Sequence, residues 1–237
     1  MKDVLNLYIS DDEECPYLPG RVSRKEYFTT KRIPEDIYEL FLVNGWRRSG
    51  ILFYRNICPD CAECCQMRIP VARFVPTRSH KRAESKNLDV SLSLVPAKFR
   101  RDVFDLYKRY SLFKHKKRED EQSFRYFLCN SPIDSRMSLY HIGKDLAAVG
   151  WIDVLPQGLS SVYFAFDPHL TKRSLGVFSV VREIALARSM GKEFYYLGFV
   201  VDGSPTMGYK AAYTPHERLY DGRWIIYPSP KTYFAGS

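Results

Sequence analysis

The order of elements in the second half of this chain constrains its fold more than any other feature. Ser138 to Ile142, Leu146 to Val154 and Ser161 to Phe166 read as three strands with short connections. A loop follows with Arg173-Ser174-Leu175-Gly176, and from about Leu175 to Ser189 the apolar Val177, Val180, Val181, Ile184 and Ala185 fall on one side of a helix. Gly191 stops that helix, and Phe194 to Phe199 is a further strand. Antiparallel strands, a loop, a long helix and a returning strand predict an α+β unit. Upstream, Pro96 opens an amphipathic helix with Phe99, Val103, Leu106, Tyr107 and Tyr110 on its apolar face. Ile33 to Asn44 is an earlier helix that begins at Pro34 and ends at Gly45, with Ile37, Leu40 and Phe41 on one face. Short strands are expected at Ile51 to Tyr54, Ile69 to Phe74 and Asn87 to Leu94, and an exposed basic loop at Pro76 to Lys86. We expect a smaller α/β unit over residues 1–90 and the larger α+β unit over 91–237.

Charge and cysteines are unevenly spread. Arg68 to Arg118 holds 15 Lys/Arg against 4 Asp/Glu, an excess of 11, so this segment accounts for the whole formal charge of +9. A phosphate backbone attracts such a patch, and salt weakens the contact. Cys58, Cys61, Cys64 and Cys65 are clustered, Cys15 lies upstream, and Cys129 falls beside an apolar run that places it in the core. Thiolates separated by two-residue spacers can converge on one ion, so Cys15, Cys58, Cys61 and Cys64 are candidate ligands for zinc or an iron–sulfur cluster. A knuckle of small buried residues without an ion is the alternative. A hydrophobic content of 45% excludes a disordered chain. No run approaches the ~20 apolar residues that span a bilayer. The acidic Asp11 to Glu14 stretch is unlike a secretory signal, so a cytoplasmic protein that does not engage membranes is expected.

The loop before the long helix has a chemical use. Backbone N–H groups at a helix start attract anions, and glycine lets a ligand approach the backbone closely. Arg173-Ser174-Leu175-Gly176 overlaps the Arg/Gln-x-x-Gly-x-Gly/Ala pattern with which acyltransferases of the GNAT superfamily hold a pyrophosphate, and the element order is similar to theirs. Phe178 occupies the position where a coenzyme A site needs a small residue, which argues against an acetyl-CoA donor.

An ordered set of motifs is more specific. Cys15-Pro16-Tyr17-Leu18-Pro19, Gly45-Trp46-Arg47-Arg48-Ser49-Gly50, Cys58-x-x-Cys61-x-x-Cys64, Arg68-Ile69-Pro70-Val71, Phe74-Val75-Pro76-Thr77-Arg78-Ser79 and Lys81-Arg82 occupy the first half. Tyr163 to Pro168, Arg173 to Gly176, Tyr196-Leu197-Gly198 and Tyr209-Lys210-Ala211 follow in the second. In this order the chain resembles the aminoacyl-tRNA–protein transferases, and its shortness and Cys-Pro-Tyr-Leu-Pro look like the bacterial leucyl branch. It departs from the family pattern at Lys114-His115 (usually Arg-His), at Thr206 before Met207 (usually Lys) and at Trp46 (usually Phe).

The resemblance implies a GNAT-like aminoacyltransferase domain behind a cysteine-containing N-terminal unit. It implies transfer of an amino acid, leucine before arginine, from aminoacyl-tRNA to the α-amino group of proteins beginning with Asp or Glu, which creates a degradation signal. The transfer needs no cofactor. Arg173, Ser174 and Gly176, with Arg78, Lys81, Arg82, Tyr163 and Tyr196, would hold the aminoacyl-tRNA. Tyr209, Lys210 and Asp167 would serve the transfer itself. Arg47 and Arg48 would take the acceptor carboxylate. An N-acetyltransferase and a non-catalytic zinc-containing RNA-binding module are the competing readings.

Overall fold

The computed structural model describes residues 6–228. Its first strands are short: β1 (Tyr8–Ile9), β2 (Glu13–Glu14), β3 (Val22–Ser23) and β4 (Lys25–Thr29). Then come α1 (Glu35–Val43), β5 (Arg47–Ser49), β6 (Leu52–Asn56) and β7 (Cys65–Pro70). Next are α2 (Arg78–Ser85), β8 (Val90–Pro96), α3 (Arg101–His115) and α4 (Glu121–Phe124). They lead into β9 (Ser135–Ile142), β10 (Asp145–Val154) and β11 (Gly158–Phe166). The last described elements are α5 (Leu175–Ser189), β12 (Phe194–Val200), β13 (His216–Tyr220) and β14 (Arg223–Tyr227).

The strands form a four-stranded sheet in the order β1-β4-β6-β5, an eight-stranded sheet in the order β14-β13-β7-β12-β11-β10-β9-β8, and the small β2-β3 pair. β9, β10 and β11 are antiparallel neighbours, α5 crosses one face, and β12 returns parallel to β11. This is the α+β arrangement of antiparallel strands, long helix and returning strand expected of the second half. The expected strand at Ile69 to Phe74 is displaced: pairing covers Cys65–Pro70, and Val71–Arg73 turn as a 3₁₀ helix. β7 lies between β12 and β13, so a strand from the first ninety residues sits inside the large sheet.

The segment Pro76 to Lys86 is not the expected loop, because Arg78–Ser85 coil into α2. Thr77 Oγ accepts the His80 N–H, and His80 Nδ1 accepts the Thr77 N–H, a reciprocal cap on the first turn. Only His80 and Ala83 of this helix are buried, so it lacks the broad apolar stripe by which a helix is read from sequence.

Adjacent residues of β10 separate the two faces of the large sheet. Ala148 packs with Leu175 and Phe178 of α5, whereas Val149 packs with Val103 and Leu106 of α3. On β12, Tyr195 and Leu197 join the α5 side. Tyr196 points the other way, into a cluster with Tyr38 and Leu42 of α1 and Phe28 and Phe53 of the small sheet. The small sheet, α1 and α3 therefore share one face, while α5, with Ala83 of α2 packed beside it, covers the opposite face. Each fully buried Phe, Leu or Val contributes about 1.5–3 kcal/mol relative to exposure, which makes these clusters the principal hold between layers.

Candidate active site

β11 and β12 pair only from Gly158 to Ser160 and from Phe194 to Tyr196. Beyond that point the strands separate. β12 turns its pairing toward β7 across a bulge between Tyr196 and Gly198, and Gly198 there has φ +85°, a conformation that disfavours a side chain. Into the resulting wedge Arg47 reaches from β5, donating from Nη1 to Ser160 Oγ at 3.0 Å and from Nη2 to the Ser161 carbonyl. Lys210, in the 3₁₀ turn Gly208–Ala212, donates from Nζ to the Phe199 carbonyl at 2.8 Å. A Cβ at Gly198 would lie 3.5 Å from Arg47 Nη2 and 3.6 Å from Lys210 Nζ, so the two cations bracket this glycine. Burial, with the Arg47 charge adding to it, pulls the Lys210 ammonium down to about 7.

On the α5 face, α2 and the start of α5 enclose a cavity of about 360 Å³ lined by Ser79, Arg82, Lys86, Ser174 and Val177. Arg78, Lys81, Arg82 and Lys86 are exposed, and none of them pairs with a carboxylate among the described residues. Gly176 stands in the first turn of α5, where a Cβ would meet only Phe164, at 3.9 Å. Protein packing thus leaves the approach to this helix start open. Arg173 itself is held back by Asp89, to which Nη1 and Nη2 donate at 2.7 and 2.8 Å, while Asn87 Nδ2 donates to its carbonyl. Arg173 braces the loop, and Ser174 has φ 57° and makes no side-chain cap bond.

The remaining candidates are scattered around the wedge. The Arg48 guanidinium is committed to Asp153, Ser135 Oγ and the Gly50 carbonyl, in a side chain 4% exposed. Asp167 caps the turn Pro168–Arg173 through the His169 N–H and pairs with Arg109 at 3.0 Å. Tyr196 is buried in the cluster under α1. Tyr163 packs edge-on against Tyr107 and Tyr110, and its hydroxyl lies 3.1 Å from His115 Nε2. Tyr209 is half exposed. Sequence reasoning sets His115 aside and does not connect Lys210 with Arg47. The first has a signal, since Lys114-His115 occupies a family Arg-His position. The second has none, because only the folded wedge joins the two segments.

Cys15, Cys58 and Cys64 line a second cavity, of about 300 Å³, together with Tyr17, Tyr54 and Phe199. Cys58 Sγ accepts the Arg24 backbone N–H at 3.5 Å. Burial, followed by the neighbouring Cys58, Cys15 and Cys61, pushes the Cys64 thiol up to about 12. The donor chemistry suits a soft ion, but among the described residues no three Cys, His, Asp or Glu side chains are placed to hold one. Cys129 is half-buried at the edge of the α3 cluster.

Exposed cations on α2 beside the open start of α5 are what a transferase with a phosphate-bearing donor would use. Two family models agree with that class: arginine-tRNA-protein transferase, N terminus, matches residues 13–82, and its C terminus matches residues 102–220. The chain belongs to this family of aminoacyl-tRNA–protein transferases. It is 36% identical over 228 residues to the aspartate/glutamate leucyltransferase of Nitrosococcus oceani, covering 93% of this chain and 95% of that one. The aspartate/glutamate leucyltransferase of Thiobacillus denitrificans is 33% identical over 225 residues, 93% of this chain and 94% of the relative. Among solved structures, FemX aligns with a TM-score of 0.48 and 9% identity over 70% of this chain and 60% of that chain. No helix among the described residues is long and apolar enough to cross a membrane.

Proposed function

We propose that this protein transfers leucine from leucyl-tRNA to the α-amino group of proteins beginning with Asp or Glu, which marks them for proteolysis in the cytoplasm. The observation that carries this reading is the groove between α2 and α5, where exposed Arg82 and Lys86 meet an open helix start. That arrangement suits the phosphates of a tRNA 3′ end. The names of the relatives supply the leucyl donor and the acidic acceptor.

The aminoacyl ester is already activated, so much of the rate can come from holding amine and carbonyl together. The groove would present the ester from the α5 face, and the acceptor would enter the wedge from the face shared by α3 and the small sheet. The neutral α-amine attacks the ester carbonyl, and the tetrahedral adduct collapses to an amide and releases the tRNA ribose hydroxyl. Tyr209, or water beside it, relays the amine proton to the departing ribose oxygen, which leaves as the hydroxyl. The His115–Tyr163 pair borders the wedge on the α3 side and orients what enters.

Transfer of radiolabelled leucine from leucyl-tRNA to peptides beginning Asp, Glu or Ala tests the reading, with arginyl-tRNA and acetyl-CoA as competing donors. Incorporation into the acidic peptides from leucyl-tRNA alone is expected. Incorporation from arginyl-tRNA would change the donor, and acetylation would remove the reading. Cys15, Cys58, Cys61 and Cys64 would give the N-terminal unit a zinc or iron–sulfur clip. About one zinc or one cluster chromophore per chain is then expected, with chelation loosening this unit. Metal-free protein with unchanged melting and activity would dismiss the clip.

A further inference from the structure

Two of the four buried Lys and Arg side chains among the described residues have an anionic partner. Arg48 has Asp153, and Arg218 has Asp202 at 2.7 Å. Arg47 and Lys210 are the other two. They are 6% and 8% exposed, they bracket Gly198, and neither forms an ion pair among the described residues. Their hydrogen bonds go to neutral oxygens, those of Ser160, Ser161 and Phe199. A guanidinium has five N–H donors and an ammonium three, so each keeps donors to spare. Two like charges held out of water beside one another are unfavourable until an anion joins them.

We propose that Arg47 and Lys210 form a carboxylate site that takes the side chain of the acceptor's first residue, with Lys210, not Arg48, as the partner of Arg47. This rests on the reading of the protein as a leucyltransferase for acidic N-termini. The place fits the ligand. The pair stands at the mouth of the β11–β12 wedge, where the α-amine of the same residue would meet the ester. Tyr54, the cross-strand partner of Arg47, and Phe199, whose carbonyl holds Lys210, both line the cavity of about 300 Å³ that opens alongside. A phosphodiester carries a sugar on each side and suits the exposed cations of α2. A carboxylate at the tip of a short side chain can be enclosed. Arg47 is the charged group facing Lys210, and burial beside it loosens the lysine proton to about 7, so an arriving carboxylate would restore it.

Steady-state leucyl transfer by Lys210→Met to peptides beginning Asp, Glu and Asn tests the site. Removing a charge-assisted hydrogen bond from a dry site predicts a fall in kcat/KM on the order of 10- to 150-fold for the Asp and Glu peptides. The fall should come through KM, with little change for the Asn peptide and an unaltered KM for leucyl-tRNA. Lys210→Arg should retain the preference for acidic peptides. Equal losses on Asp and Asn peptides overturn the assignment, and a raised KM for leucyl-tRNA instead gives the pair to an RNA phosphate and overturns it too. The wild-type protein supplies a second measurement that no folding defect can obscure. Calorimetry near pH 8 in buffers of different ionisation enthalpy should register proton uptake on binding an Asp-starting peptide and none on binding its Asn counterpart. Equal uptake, or none from either, removes Lys210 from the site. If wild-type protein transfers leucine to no acidic peptide, the functional reading itself falls, a result separate from the variant's behaviour.

Discussion

Lys210 carries a cost that its neighbours do not relieve, and that cost has a sign. Its folded pKa lies near 7, below the ordinary 10.5, so between those values the unfolded chain binds the extra proton. Stability from this group therefore rises with pH across that window and is lowest below pH 7. Replacement by Met should stabilise the protein by a few kcal/mol at pH 6, with the gain shrinking toward pH 10, as urea titration at several pH values would measure. A gain independent of pH would point to better packing instead. None of this is legible in the sequence, where Lys210 is one residue of a Tyr-Lys-Ala match and Arg47 one of an adjacent arginine pair. The motif nominates both positions, but which of Arg47 and Arg48 is free depends on Asp153, a strand residue that no motif connects to them.

The elements divide by how much of their surface they bury. The bounds of α5 are legible, because Val177, Val180, Val181 and Ile184 follow helical spacing and Gly191 ends the run, although Ala185, expected on the same face, is exposed. α2 reads as a loop, since its mostly charged residues face water and its cap uses His80 where Glu or Gln is the familiar sign. α2 supplies three of the fifteen Lys/Arg of the basic segment, Arg78, Lys81 and Arg82, and helical spacing puts Arg78, Arg82 and Lys86 along one line. Reversing charge at Lys81 and Arg82 should weaken tRNA binding whatever its sequence. It should also reduce the slope of log K against log salt by about 0.7–0.9 for each phosphate no longer neutralised, read by filter binding at several salt concentrations. An unchanged slope would place the RNA away from α2.

At the scale of the whole molecule, the two sheets are held together by a buried pair as well as by apolar packing. Arg48 belongs to β5 in the small sheet and Asp153 to β10 in the large one, and Ser135 Oγ completes the cluster. Removing one partner leaves an uncompensated interior charge, so Asp153→Ala should cost about 3–5 kcal/mol, measurable as a drop in the urea midpoint. A loss below about 1 kcal/mol would mean that water reaches this pair. The charge total and the cysteine cluster are plain from sequence, but this junction is not, because it depends on long-range placement.

The position of β7 also sets a schedule for synthesis. A nascent chain leaves the ribosome from its N-terminus, so β7, rich in Met67 and Ile69, emerges well before β12 and β13, the strands on either side of it. Until those arrive it has an apolar face and two unsatisfied edges, the surface on which chains aggregate and chaperones act. Closing the sheet also demands pairings between distant parts of the sequence, which slows folding. For most of its time on the ribosome, the polypeptide therefore carries a central strand waiting for neighbours not yet translated.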